Sequence, residues 1–241
     1  MLSDIKINRS LKTNKNIYME KQFVKIRSLQ KVTHDTLSII TEKPQNYIFT
    51  PGQATSIAID RDGWREEKRP FTFSSLPEDD HLEFIIKTYP EHDGTTDKLL
   101  HVEPGEKLIL FGIFGSIEYK GEGVFIAGGS GVTPFISILR DLSRKNRVGN
   151  NRLVFANKTK ADIILREELE NMLGDNFINI LSEEKDEAYG HGFITAEFIK
   201  EHAGDLSGYF YLCGPPPMMK KLEEFLSALN VDKSRIVKEQ F

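Results

Sequence analysis

The chain has 241 residues, 39% of them hydrophobic and 28% charged, with a formal net charge of −4. That length holds two modest domains with separate cores, and the composition is that of an ordinary globular protein. The acidic balance argues against nucleic acid as the main partner, and no apolar run approaches the ~20 residues of a membrane-spanning helix.

Residues 1–18 set Lys6, Arg9, Lys12 and Lys15 against Asp4 alone and read as an unpacked extension, with Met19 just ahead of the first convincing strand. From Gln22 to Tyr119 the pattern is strand after strand: FVKIRSLQKVT, TLSIIT, QATSIAI, RPFTFSS, LEFIIKTY and KLILFG. Turn residues separate them, and one short helix fits TTDKLLHV. This predicts an antiparallel six-stranded β-barrel over 19–119. From Gly123 strands and helices alternate. The strands are GVFIA, RLVFAN, FINIL, GYFYLCG and RIVKEQF; the helices are PFISILRDLSRK, LREELENML, TAEFIKEHA and PPMMKKLEEFLSAL. That is the signature of an α/β domain with an open parallel sheet, expected over 120–241.

The stretch AGGSGVTPF, Ala127 to Phe135, joins the first strand of the second domain to its first helix. Thr133 suits an N-cap and Pro134 the first helical position. Gly128, Gly129 and Gly131 remove side chains where a ligand would approach the backbone, and a glycine turn feeding a helix N-terminus suits an anion. The same letters also fit a tight turn with no ligand. The G-x-G-x-x-G fingerprint fails because the run meets Pro134, and the G-x-S-x-G elbow fails at Val132.

Cys213 is the only cysteine, which excludes an internal disulfide, a two-cysteine zinc site and a four-cysteine iron–sulfur cluster and points to a reducing, cytoplasmic setting. His34, His81, His92, His101, His191 and His202 show no metal spacing and read as solvated or capping groups, so no metal is expected.

Three motifs read together: RPFTFSS (Arg69 to Ser75), GGSGVTP, and YLCGPPPMM (Tyr211 to Met219). With FANKTKADIILREELENM and YGHGFIT, the chain from about Glu20 onward resembles the ferredoxin–NADP reductase superfamily. It is most similar to the reductase modules of cytochrome-b reductases, nitrate reductases and flavohaemoglobins. The resemblance implies a flavin-binding barrel followed by a nicotinamide-nucleotide domain.

Arg69 offers a planar charged fork suited to a flavin phosphate, though a strand arginine can equally face water. Phe71, in phase with Arg69, would stack on the isoalloxazine where the family usually has tyrosine; on its own it could be a core aromatic. Pro70 lies between them. Thr72 points the other way in an ideal strand, and the resemblance places it at the flavin nitrogen that receives hydride. Thr96 matches the family's phosphate-contacting hydroxyl, with Thr95 and Gly94 at a helix N-terminus, a role that simple capping would also explain. Lys87 and Tyr89 are expected along the flavin edge.

In the second domain the resemblance gives Gly128, Gly129, Gly131, Val132, Thr133 and Pro134 to the nicotinamide pyrophosphate, and Asn157 and Lys158 to the same cofactor. Cys213 would lie beside the hydride-carrying carbon, with Gly214 and Pro215 turning the chain and Met218 packing the next helix; the alternative for Cys213 is a buried small hydrophobe. Glu239 would approach the junction of the two cofactors, and Phe241 would cover part of the flavin.

The function implied is hydride transfer from NADH or NADPH to FAD, catalytic residues Thr72, Cys213 and Glu239, followed by one-electron release to a separate acceptor. Flavodoxin, ferredoxin, a cytochrome and a small molecule are the acceptor classes, and the chain is expected to act as a monomer. FAD is favoured over FMN because Arg69 with DGTTDKL resembles the FAD branch of the superfamily more than the FMN branch. NADH is favoured over NADPH because Glu183 and Glu184 follow FINIL, leaving only Lys158 and Lys160 nearby to hold a 2′-phosphate. The rivals are a flavin-free nicotinamide dehydrogenase and a non-catalytic flavoprotein sensor or partner subunit.

Overall fold

The structure, a computed structural model, describes residues 21–89, 91, 94–115 and 117–239. The basic extension expected over 1–18, His92 and Phe241 lie outside the described residues.

Six antiparallel strands form the first sheet: β1 (Lys21–Thr33), β2 (Thr36–Glu42), β3 (Ala54–Ile59), β4 (Arg69–Thr72), β5 (His81–Lys87) and β6 (Lys107–Phe114). Their order is β4-β3-β6-β1-β2-β5. The two edges meet just past β4, where the Ser74 N–H donates to the Glu83 carbonyl at 2.9 Å and the Glu83 N–H to the Ser75 hydroxyl at 3.0 Å. Ile26, Ile39, Ile57, Phe84 and Leu110 fill the interior around Phe73, whose ring stacks on Phe49 with centroids 4.2 Å apart. The expected short helix is α1 (Thr95–Lys98), continued by a 3-10 turn to His101.

Strand β5 is covered on both faces. Leu82, Phe84 and Ile86 point into the barrel, whereas Ile85 belongs to the core of the second unit. Period-2 alternation therefore assigns Glu83, Ile85 and Lys87 to the face that meets the second unit, where Glu83 finds Arg140 of the helix over Thr133–Arg144 and Lys87 finds Asp162.

The second sheet is parallel: β7 (Gly123–Gly128), β8 (Arg152–Asn157), β9 (Phe177–Leu181), β10 (Gly190–His191), β11 (Tyr209–Cys213) and β12 (Ile236–Lys238), in the order β10-β9-β8-β7-β11-β12. Helices α2 (Thr133–Arg144) and α3 (Arg166–Leu173) pack on one face. Helices α4 (Ala196–His202) and α5 (Pro216–Ala228) pack on the other. The strand order reverses at the β7/β11 boundary, so ligands should enter at the carboxyl ends of these strands.

One local expectation is corrected. Thr133 is not the N-cap, because a 3-10 turn over Gly129–Val132 already carries the chain into the helical region and Val132 holds the cap position. The Thr133 hydroxyl instead donates to the Ser130 carbonyl at 3.0 Å, and Pro134 sits in the first turn.

Candidate nucleotide and flavin site

The glycines of the β7–α2 turn have different reasons to be glycine. A Cβ on Gly131 would lie 2.3 Å from the Cys213 carbonyl oxygen, and one on Gly128 would lie 2.5 Å from Met218 Sδ and 3.0 Å from Pro215. Both positions need glycine for the close packing of the neighbouring β11–α5 turn, a requirement that stands beside any ligand approach. Gly129 differs: at φ +52° its Cβ would meet nothing within 4 Å. It leaves the backbone bare, as a close-approaching anion requires.

Cys213 ends β11 directly across from this turn. Burial, with Glu239 nearby, pushes its thiol up to about 12, so it is a neutral group rather than a thiolate nucleophile. Burial also raises the Glu239 carboxyl above its ordinary value. Beside them opens a cleft of about 630 Å³ lined by Cys213, Gly214, Pro216, Met219 and Glu239 among others.

At the carboxyl end of β8, Asn157 is 8% exposed, and neither its Oδ1 nor its Nδ2 has a partner. A buried carboxamide left unpaired costs about 1–3 kcal/mol, so a polar partner that completed it would be favoured here; Asn179 Oδ1, on β9, is unpaired too. The loops after β8 and β9 are tied together: the Ser182 N–H donates to the Asn157 carbonyl at 3.0 Å and the Glu183 N–H to the Lys158 carbonyl at 2.9 Å. The Lys158 ammonium lies 3.2 Å from Glu183, Glu184 accepts the Lys160 N–H at 2.7 Å, and the Lys160 ammonium lies 3.1 Å from Asp186. Both lysines that could have held a 2′-phosphate are thus engaged by carboxylates. Phe193, 82% exposed just past β10, stands near this acidic loop, because His191 Nδ1 contacts the Glu184 carbonyl at 3.0 Å. The sequence reading did not single out Phe193. Its signal was an aromatic inside YGHGFIT with no apolar period around it.

On the barrel side, β4 pairs with β3 so that Arg69 and Phe71 lie opposite Ile57 and Thr55, and Pro70 and Thr72 opposite Ser56 and Ala54. The alternation of Phe71 and Thr72 between faces is as expected. Phe71 packs partly against the barrel core, while Arg69 is half exposed, donating to the Lys68 carbonyl at 2.8 Å. Thr95 is buried and its hydroxyl donates to the Glu67 carbonyl at 3.2 Å, so it anchors α1 to the loop before β4 while Gly94 and Thr96 stay partly exposed.

Lys87 has a more structural setting than the expected flavin edge. Its ammonium lies 2.7 Å from Asp35 and 3.8 Å from Asp162, joining the barrel to the segment after β8. His34 lies 3.7 Å from Asp35 and 3.8 Å from Asp162, so it is part of this cluster rather than merely solvated. Among the described residues His34, Asp35 and Asp162 are the one trio with metal-ligating atoms close together, and Lys87 supplies positive charge there. Tyr89 follows at the end of the same segment.

Two family descriptions match the chain: an FAD-binding domain over residues 21–107 and an oxidoreductase NAD-binding domain over 125–224. NADH-cytochrome b5 reductase 1 of Aspergillus terreus is 33% identical over 218 residues, which cover 81% of this chain and 72% of that one. The chain belongs to the ferredoxin–NADP reductase family. The reductase component of propane 2-monooxygenase from Mycolicibacterium goodii is 28% identical over 90% of this chain and 66% of its own length. The flavohaem-like FAD/NAD-binding domain of nitric oxide dioxygenase from Vibrio cholerae superposes with a TM-score of 0.80 at 24% identity, covering 91% of this chain and 98% of that one. The chain spans 64–66% of the length of several curated relatives that it matches. As a ferredoxin–NADP reductase family member it carries groups that fit both cofactors: a half-exposed Arg69 fork for a flavin phosphate, and the unpaired Asn157 amide beside the bare Gly129 backbone for a nicotinamide nucleotide.

Proposed function

We propose that this protein is an FAD-dependent NAD(P)H reductase that passes electrons to a separate acceptor, with NADH as the preferred donor. The observation that carries the reading is the orphaned Asn157 carboxamide at the carboxyl end of β8, beside a glycine turn left open at Gly129. FAD, when bound, would supply the redox chemistry, a two-electron acceptor for hydride and a one-electron donor.

The chain's own residues bind and orient. Arg69 holds a flavin phosphate, and Phe71 and Thr72 present the strand to the ring. The Gly129–Val132 turn with Thr133 and Pro134 receives the pyrophosphate at the start of α2. Asn157 completes its hydrogen bonds on the same nucleotide, and Phe193 offers a stacking face to its base. Cys213, neutral and largely buried, walls the nicotinamide position, and Glu239 excludes water beside it. In this reading residues 19–119 are the flavin domain and 120–241 the nucleotide domain.

The acceptor is a separate redox protein. Relatives are named for cytochrome b5 and for a monooxygenase, which makes a cytochrome or an oxygenase partner the first to test. Cytoplasmic location and a monomeric state complete the proposal, and fractionation and light scattering test them. Among the described residues no helix is long and apolar enough to cross a membrane.

Anaerobic stopped flow decides the central claim. NADH should bleach the flavin absorbance in a single turnover, and cytochrome b5, ferredoxin and flavodoxin should then be compared as acceptors. A colourless protein that takes up no FAD, or a flavin that neither NADH nor NADPH reduces, would overturn it.

A further inference from the structure

We propose that Arg140 is a positioning residue for hydride transfer, holding the flavin strand and the nucleotide turn at a fixed separation. The proposal rests on the reductase reading above, and its test separates the two.

Helix α2 turns three polar side chains toward the barrel at i, i+3 and i+7, one helical face. The Ser137 hydroxyl accepts the Gly52 N–H at 3.0 Å, and Arg144 Nη2 donates to Asp79 at 2.9 Å. Arg140 lies between them. Its Nε and Nη2 grip Glu168 of α3 at 2.6 and 2.9 Å, a two-pronged contact. Its Nη1 reaches across to the barrel, donating to the Ser74 carbonyl at 2.9 Å and to the Glu83 carboxylate. Glu83 in turn accepts the hydroxyls of Ser38 at 2.8 Å and Ser74 at 2.9 Å.

These contacts join two places that matter. Ser74 lies two residues beyond Thr72, at the end of the strand that presents the flavin. Arg140 lies seven residues beyond Thr133, about 10 Å along the helix that begins at the nucleotide turn. Glu168 fixes the guanidinium from the nucleotide side, so a shift of α2 is transmitted to Ser74 through a short charge-assisted path. Interfaces between domains of one chain are polar enough that relative motion is the default expectation. A displacement of ~1 Å between reacting groups can cost on the order of 10²-fold in rate. A largely buried arginine satisfied from both sides is suited to suppress that displacement. Its loss should act on the rate of transfer rather than on cofactor affinity, since Arg140 is separated from both proposed binding segments.

The experiment compares wild type with Arg140→Lys, Arg140→Met and the double variant Arg140→Met/Glu83→Gln, in which no unpaired carboxylate remains at Glu83. Four quantities are read: FAD bound per chain, the Kd for NAD+, the single-turnover rate constant of flavin reduction by NADH, and amide hydrogen exchange over residues 72–76 and 133–137. Arg140→Met and the double variant should keep FAD and bind NAD+ within twofold, yet lose tenfold or more in the rate constant. Exchange in both segments should rise together, and Arg140→Lys should recover part of the rate. A wild-type rate constant, or a loss that follows loss of FAD, overturns the proposal. If the wild type itself is not reduced, the reductase reading falls. The exchange arm still decides the coupling: unchanged exchange at 72–76 in both Met variants overturns it.

Discussion

A Cβ on Gly131 would stand 2.3 Å from the carbonyl oxygen of Cys213, so the turn that opens α2 and the end of β11 interlock through backbone alone. Gly131→Ala must push the two turns apart, and it should lower stability by about 1–3 kcal/mol in urea unfolding. Gly129→Ala meets no protein atom and bears only its left-handed backbone, about 1–2 kcal/mol. Its larger effect should be a weaker Kd for NAD+, since the new methyl would enter the open space proposed for the nucleotide. Equal NAD+ affinity in Gly129→Ala and wild type would contradict the assignment of that opening.

Arg69→Ala and Cys213→Ala should fail in different ways. The first removes the half-exposed fork assigned to a flavin phosphate and should be purified with much less FAD. The second should keep its flavin but reduce it more slowly, because only the wall of the nicotinamide position changes. Absorbance per chain and single-turnover reduction separate the two. Mass analysis of the released cofactor from wild type should find FAD rather than FMN.

The Cys213 thiol, pushed up to about 12, is almost wholly protonated at neutral pH. Iodoacetamide should therefore label the folded protein far more slowly than the urea-unfolded chain at pH 8. Mass spectrometry gives both rates, and equal labelling would show a thiolate where the structure has none.

NADH should give the higher kcat/KM at physiological salt. Glu183 and Glu184 already engage Lys158 and the Lys160 backbone, leaving carboxylates where a 2′-phosphate would have to sit. The pair is exposed and screened, yet ~1.4 kcal/mol suffices for a tenfold preference. Glu183→Arg should narrow the gap by favouring NADPH. A wild-type preference for NADPH would reverse the assignment.

Glu239 gives a pH signature. Burial raises its folded-state pKa above the ordinary 4.5, so the folded state favours the protonated form. The stabilisation belongs to pH below 4.5 and is lost as pH rises through the raised value. Glu239→Gln should accordingly unfold at a higher temperature than wild type at pH 7–8, with the difference shrinking toward pH 4. Calorimetry across that range checks the sign.

Most elements were legible because their period is local. The six barrel strands and the helices PFISILRDLSRK and PPMMKKLEEFLSAL carry alternation or a 3.6-residue face within single windows. Strand β10, two residues long, carries no period to read. Long-range pairing was equally silent: Lys87 finds Asp35 and Asp162, and Arg140 finds Glu83 and Glu168, across stretches no local pattern connects. Ile85 beside Ile86 in LEFIIK was a partial clue, since two adjacent buried residues mean a strand covered on both faces. The glycines were visible as a turn, but which of them the protein needs for its own packing depended on where Cys213, Pro215 and Met218 come to rest.

The strand order of the barrel also has a consequence during translation. Strand β6 is held between β1 and β3, so the earliest-made strand waits for residues 107–114 before its second partner exists. Until then β1 and β3 present open hydrogen-bonding edges, the features most prone to pair with another nascent chain. The outer face of β5 waits longer still, because Ile85 joins a core whose other buried members, from Ile117 onward, have yet to leave the ribosome. Slow elongation between the two halves would prolong both exposures.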